Sequence, residues 1–240
     1  MFEALSVAAR AQLRPRMLGL VLLPLLGALL LWIVLYVAVW HQLVEGLRQL
    51  IAAGASEQWL SQGVAGFLSD WIVLIAMLLF LLPLTQATAL IVTATVAMPI
   101  MVEDIARREF PQLERRHGGS VVGSIVNAFA ALLIYLALWV LTLPLWLLGI
   151  PAIVLPLLLN AYLNARLFRY DALAEHASAD EYSRIMSSAR GPLFGLGIAA
   201  ALLQMVPVVN LFSPVYSGLS FIYFGFGELA RMRALERTSA

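Results

Sequence analysis

The stretch GPLFGLGIAAALLQMVPVVNLFSPVYSGLSFIYFGFG, residues 191–227, decides how the rest of the chain is read. It holds no charged residue over 37 positions, so it lies in lipid or in a large core. Pro207 and Pro214 bracket a loop whose only polar side chains are Asn210 and Ser213. The arms on either side, 191–206 and 215–227, have 16 and 13 residues. As helices they reach about 24 and 20 Å, short of a hydrocarbon core of about 30 Å. The natural reading is a helical hairpin that enters a bilayer and turns back inside it. Irregular backbone at that depth persists only where protein or a water-filled cavity covers it. The turn at 208–213 therefore needs a cover, from this chain or from a second copy. On that ground we expect a homodimer or larger oligomer through the apolar hairpins, with Pro207, Asn210, Pro214 and Gly218 as the tip and assembly residues.

Composition agrees with a membrane location. The chain is 62% hydrophobic and 12% charged, outside the range of soluble domains. It has no cysteine, which excludes disulfides, thiol catalysis and cysteine-based metal sites. All fifteen basic residues are arginines, gathered in a few clusters. No polar segment is long enough for a soluble domain. We read a single polytopic membrane domain over 1–240, all-α, with membrane runs 17–44 and 71–102 and apolar hairpins at 120–165 and 191–227.

Taken in order, the chain opens with MFEALSVAARAQLRPR. Phe2, Leu5, Ala9 and Leu13 can line one side of a short interfacial helix. The charge-free run 17–44 is too long for the apolar core of a signal peptide and lacks its small-residue cleavage site, so it reads as an uncleaved first transmembrane helix kinked at Pro24. In the polar connection that follows, Leu60, Val64, Phe67, Leu68 and Trp71 keep helical spacing, as a surface helix would. Trp40, Trp59 and Trp71 mark an aromatic belt. The run 71–102 is a second spanning helix, bent at Pro83 and Pro99. Its face of Thr85, Thr88 and Thr95, beside Gln86 and Thr93, fits helix packing better than a polar path, because such stripes are ordinary in membrane helices.

The segment 103–117 mixes four arginines with four acids, the pattern of a solvated face. The hairpin 120–165 turns within LPLWLLGIPAIVLP. Its first arm is long enough to span, whereas 152–165 has 14 residues, so spanning and half-penetrating forms both stay open. Asn127, Asn160 and Asn164 are placed for interhelical hydrogen bonds. Ser178-x-x-Glu181 is a capping box, opening a short surface helix with Tyr182, Ile185, Met186 and Ala189 on one face and Arg184 and Arg190 in its last part.

Orientation follows from the arginines. If the first two runs cross once each and both hairpins return to the side they left, the N-terminus, 103–117, 166–190 and the C-terminus share a side. That side holds fourteen of the fifteen arginines, and only Arg48 lies opposite. The positive-inside rule makes the arginine-rich side cytoplasmic.

Enzymatic motifs of metallopeptidase, nucleotide-binding and serine-hydrolase type are missing, and no cofactor, metal or nucleic-acid site is indicated. His41, His117 and His176 lie on different connections and read as surface residues. No charge sits deep in a membrane run, so a channel-like or dipole-lined path fits better than a buried proton relay.

The second hairpin resembles that of the CysZ-type sulfate permeases of the etoposide-induced membrane protein superfamily. The shared features are Phe194-Gly195, Met205-Val206-Pro207, Asn210-Leu211-Phe212, Pro214-Val215 and Gly218. Leu23-Pro24-Leu25-Leu26, Ala97 to Pro99 and Tyr170-Asp171 extend the likeness along the chain. The resemblance implies an inner-membrane protein with two long helices and two half-penetrating hairpins, oligomeric, feeding sulfate to cysteine synthesis. It also implies an anion site at a Gly-hydrophobic-Arg motif before the first-helix proline. Here that region reads Arg14-Pro15-Arg16-Met17-Leu18-Gly19, with the order of glycine and arginine not preserved. The chemistry still suits an anion: Pro15 can open a helix, whose free amides attract oxyanions, and Arg14 and Arg16 add forked donors. Arg14, Arg16 and Gly19 are the candidate anion-binding residues. Two functions compete, an oxyanion permease and a non-transporting scaffold or assembly protein of the same superfamily.

Overall fold

The first eleven helical residues show what kind of surface this chain builds. In the computed structural model α1 spans Phe2–Gln12 and buries Ala4, Ala8 and Ala11. The small side chains let it lie close against the long C-terminal helix. Phe2 and Leu13 point the other way and are exposed. The large apolar face is therefore turned outward, as an interfacial helix turns it to lipid, while the alanine stripe between its turns makes the protein contact.

The structure describes residues 1–22 and 87–239 continuously and, between them, 26–28, 30–32, 34, 42, 45, 46, 49, 71, 75, 79, 84 and 85. The expectations placed on Pro24, Trp40, His41, Arg48, Trp59, Pro83, Gln86 and the surface helix from Leu60 to Leu68 fall outside these residues. Two compact units are present, one of Met1–Leu25 with Ala89–Ala240, the other of Leu26–Thr88. Among the described residues every regular element is helical. Among the described residues four helices are long and apolar enough to cross a membrane: Pro15–Trp32 (α2), Ala87–Glu109, Val122–Leu148 and Pro151–Leu173.

The second of these changes character at Thr93–Ala97, a π-helical turn followed by α3, Met98–Glu109. Pro99 lies at the start of α3 and has no N–H to offer the preceding turn, which accounts for the widened ladder there. Thr88, Thr93 and Thr95 each donate to the carbonyl four residues back. These hydroxyls bond within the helix, while Thr85 and Thr95 of the expected packing face are exposed and Thr88 is half-buried.

The first apolar hairpin consists of α4, Val121–Thr142, a 3-10 segment Leu143–Leu148, and α5, Pro151–Leu173. Ser120 caps α4 by accepting from the Gly123 amide. Gly149 makes the turn with φ 79°, a conformation that L side chains rarely adopt. The second arm does not stop at 165 as expected. It continues through Arg166, Arg169 and Asp171 to Leu173, so the whole helix has 23 residues, about 34 Å. Both arms thus have spanning length. Polar groups tie them to each other and onward to the next hairpin. Asn127 donates to Arg166 O at 3.0 Å, and Tyr135 OH lies 3.4 Å from Asn160 Oδ1.

Helix α6, Ala179–Ser188, carries the complete capping box of Ser178 and Glu181. Arg190 does not end this helix. It opens α7, Arg190–Gln204, after a bend of 76°. One turn, α8 (Pro207–Asn210), leads to α9, Ser213–Ser239. The expected arm ended at Gly227, yet α9 runs on through the charged tail, whose sequence ELARMRALER is rich in strong helix formers.

Close approach fixes this hairpin onto α5. A Cβ on Gly197 would stand 2.4 Å from Ala161 O, so only glycine fits at that crossing. Between the same two helices, Asn164 and Gln204 exchange amide hydrogen bonds in both directions, at 3.3 and 3.1 Å. The pair is buried, and each amide satisfies the other where hydrocarbon could not.

Candidate anion site in an arginine-rich layer

Helix α2 starts where the sequence indicates. Arg14 O accepts from the Leu18 amide at 3.0 Å, the first bond of the helix, and Pro15 follows as its first residue. Arg14 and Arg16 therefore flank a helix start whose first amides have no carbonyl within the helix. Gly19 lies one turn on, exposed, with nothing within 4 Å of the position a Cβ would take.

Neither arginine is idle. Arg14 Nη2 donates to Glu109 Oε1 at 2.7 Å, and Arg16 Nη1 donates to Asp104 Oδ1 at 2.7 Å. Both acids come from α3, so the segment 103–117 is not simply a solvated face. Asp104 is 4% exposed. Each acid has a further partner. Tyr223 of α9 donates its hydroxyl to Glu109 Oε1 at 2.6 Å, and Arg108 Nε lies 3.1 Å from Asp104 Oδ2. Arg14 Nη1 is buried and makes no hydrogen bond among the described residues.

A second node joins the tail to the middle of the chain. Glu181, besides closing its capping box, accepts from Arg116 at 2.8 Å and from Arg233 Nε and Nη2 at 2.9 and 3.0 Å. Arg233 also donates to Glu114 O and His176 O. Burial alone would raise the Glu181 carboxyl. The hydrogen bonds from Arg233 and the Ser178 amide, with the charges of Arg233 and Arg116, outweigh it and hold the group at about 2. His176 is not on the surface: it is 1% exposed, its ring 4.8 Å from that of Phe226. Burial, then the nearby Arg115, Arg233 and His117, push it down to about 4, so it is neutral at pH 7.

The remaining pairs complete a pattern. Arg107 and Arg115 both reach Glu103, and Arg184 meets Glu236 at 2.9 Å. Ion pairs thus link the N-terminal segment to 103–117, that segment to 166–190, and 166–190 to the C-terminal tail. All four arginine-rich segments of the first unit form one connected layer.

Pro214 and Gly218 are buried within the chain. A Cβ on Gly218 would meet Met101 and Met98 of α3 at 2.7 and 3.0 Å. The turn that needed a cover has part of one in this chain. Gln12 of α1 donates to Phe212 O at 2.8 Å, Ser213 Oγ to Asn210 O, and the Asn210 and Phe212 amides to Val206 and Val209 carbonyls. Pro207 opens α8. Sequence reasoning missed Asp104 and Glu109, 88 and 95 positions from the arginines they join, and Tyr223, 114 positions from Glu109. The only available signal was the acid content of 103–117, which local periodicity assigns to solvent.

Residues 4–214 match the protein family described as sulfate transporter CysZ/etoposide-induced protein 2.4. No curated protein and no solved structure gives a match.

Proposed function

The chain belongs to the sulfate transporter CysZ/etoposide-induced protein 2.4 family, and from that premise we propose that it is a permease or channel for sulfate or a related small oxyanion in the bacterial inner membrane. The observation that carries the reading is the start of α2: two arginines flank its opening proline, and one of them has a buried donor nitrogen that makes no hydrogen bond among the described residues. Helix-start amides and guanidinium forks suit a tetrahedral oxyanion better than a spherical halide. Arg14, Arg16 and Gly19 form the anion site in this reading. Gly19 leaves open space beside the helix for the bound ion.

The same proposal puts both termini and 166–190 in the cytoplasm, with 45–70 outside, and has the chain act as one polytopic membrane domain. The ion pairs that connect the arginine-rich segments support a common side for them. Association of copies through the exposed hairpin surface around Leu211 and Phe212 is part of it, as is a supply of sulfate to cysteine synthesis.

A second reading has its own support. Both arginines already hold carboxylates, which suits a non-transporting scaffold whose charges only fix topology. Calorimetry with potassium sulfate, and isotope uptake into proteoliposomes, separate the two. Replacing Arg14 and Arg16 with Gln should weaken sulfate binding by at least about tenfold per arginine, the scale of a charge-assisted hydrogen bond. Lysine replacements should rescue in part, keeping charge and losing the fork. The variants should fold, because Glu109 keeps Tyr223 and Asp104 keeps Arg108. Wild type that binds no sulfate, together with Gln variants that insert and assemble normally, would establish the scaffold reading instead.

A further inference from the structure

We propose that Asp104 and Glu109 determine which anions the site accepts, acting as tethered competitors for Arg14 and Arg16. The inference rests on the anion-site reading above.

The two arginine pairs share a construction. Each carboxylate that holds an arginine of α2 is held in turn by a second group from elsewhere. For Glu109 it is the Tyr223 hydroxyl, bound at 2.6 Å to the same oxygen that Arg14 uses. For Asp104 it is Arg108, one helical turn along α3, whose charge lies 3.1 Å from Oδ2, an oxygen that makes no hydrogen bond among the described residues. Stranding a buried carboxylate is costly, and Asp104 is almost wholly buried. With a second partner in place, a hydrogen bond for Glu109 and an ion pair for Asp104, either arginine can release its acid at a reduced penalty.

The arginines are the movable members of these pairs. The Arg16 side chain is 59% exposed and that of Arg14 37%, against 3% for Asp104. A swing of the guanidinium from carboxylate to incoming anion exchanges one charge-assisted hydrogen bond for another. Arg14 Nη1, though buried, already makes no hydrogen bond among the described residues, so one donor is uncommitted before any pair opens.

This construction selects among anions. An entrant must replace what two carboxylates supply. A tetrahedral dianion presents several oxygens and can accept from both forks together, recovering both pairs. A halide offers one spherical charge and matches neither fork. Weak anions are refused because the protein's own acids are the better ligands. Asp104 and Glu109 thus raise the threshold for binding and widen the gap between sulfate and chloride.

The test is calorimetric titration of potassium sulfate and potassium chloride into the full chain in maltoside micelles, which carry no phosphate. Asp104→Asn and Glu109→Gln should each tighten sulfate binding about fivefold, or about 1 kcal/mol, the scale of one partly exposed ion pair. Chloride should gain more than sulfate, so selectivity falls. Tyr223→Phe should act in the opposite direction and weaken sulfate binding, because Glu109 loses the partner it retains after release. That change removes one hydroxyl, so it decides the matter if an acid variant does not fold. Phosphatidylglycerol added to the micelles identifies the displacing anion. A lower sulfate affinity in its presence points to headgroup phosphate and an unchanged one to free sulfate, with the carboxylate effect required in either case.

Sulfate binding that depends on Arg14 and Arg16 but does not tighten in the acid variants overturns this proposal and leaves the anion site standing. Binding seen only in the acid variants supports both. Binding in none of them removes the anion site and this inference with it.

Discussion

Replacing Glu181 with Gln isolates the charge at the node that ties α9 to the rest of its unit. Gln can still occupy the third position of a capping box, so the N-terminus of α6 keeps its local bonds. What is lost is the countercharge of Arg233, whose side chain is 7% exposed. An arginine left unpaired in such a site costs about 3–5 kcal/mol. For a chain of this size that corresponds to a drop of about 6–20 °C in the unfolding midpoint. Arg116 supplies the comparison. Its side chain is 44% exposed, so Arg116→Met should cost about 1 kcal/mol or less. The pH dependence follows with the same sign for two groups. Glu181 is depressed from 4.5 to about 2, so its contribution is full above pH 4.5 and is lost as pH falls towards 2. His176 is depressed from 6.5 to about 4. The unfolded chain takes up that proton first, so stability declines as pH falls from 6.5 to 4. Each shift is worth about 3 kcal/mol over its window. Thermal unfolding in detergent micelles from pH 8 to 2, followed by fluorescence, reads both. His176→Gln should flatten the upper window, and hydrogen exchange in the last turns of α9 should rise in Glu181→Gln. A Glu181→Gln protein that melts within about 2 °C of the wild type at pH 7 refutes the reasoning.

Two further outcomes check the fold. Gly197→Ala should destabilise the chain by about 1–3 kcal/mol, because the added methyl meets the Ala161 carbonyl, backbone that cannot step aside; a neutral result in a denaturation series would mean that α5 and α7 do not cross there. For topology, the absence of native cysteine allows single-site labelling. Glu57→Cys in whole cells should react with an impermeant maleimide and Asp180→Cys should not, and the reverse pattern would invert the orientation.

How much of this was legible in the sequence depends on the range of the physics involved. Local signals held. The capping box at Ser178 and Glu181, the helix start at Pro15 and the hairpin turn after Gln204 all follow from the chemistry of a few adjacent residues. Helix ends that rested on composition were less secure. The change from apolar to charged residues at 165 and 227 reads as an end, but a change of solvent does not break a backbone ladder, and α5 and α9 continue through it. The charged segments were least legible. Balanced acids and arginines read as solvated because periodicity contains no term for a partner a hundred residues away. In a membrane protein that error has a direction. The apolar surface is already occupied by lipid, so large apolar side chains such as Phe2 and Leu13 are free to face outward. Contacts between segments are then left to small residues and to polar groups that lipid cannot satisfy. The alanine stripe of α1, the Asn164–Gln204 pair and the Glu181–Arg233 node are the three forms this takes here. In such a chain the polar residues carry the tertiary information that a soluble protein keeps in its hydrophobic core. Glu109 is the sharpest instance: one oxygen joins α2, α3 and α9, and its neighbours in sequence give no sign of it.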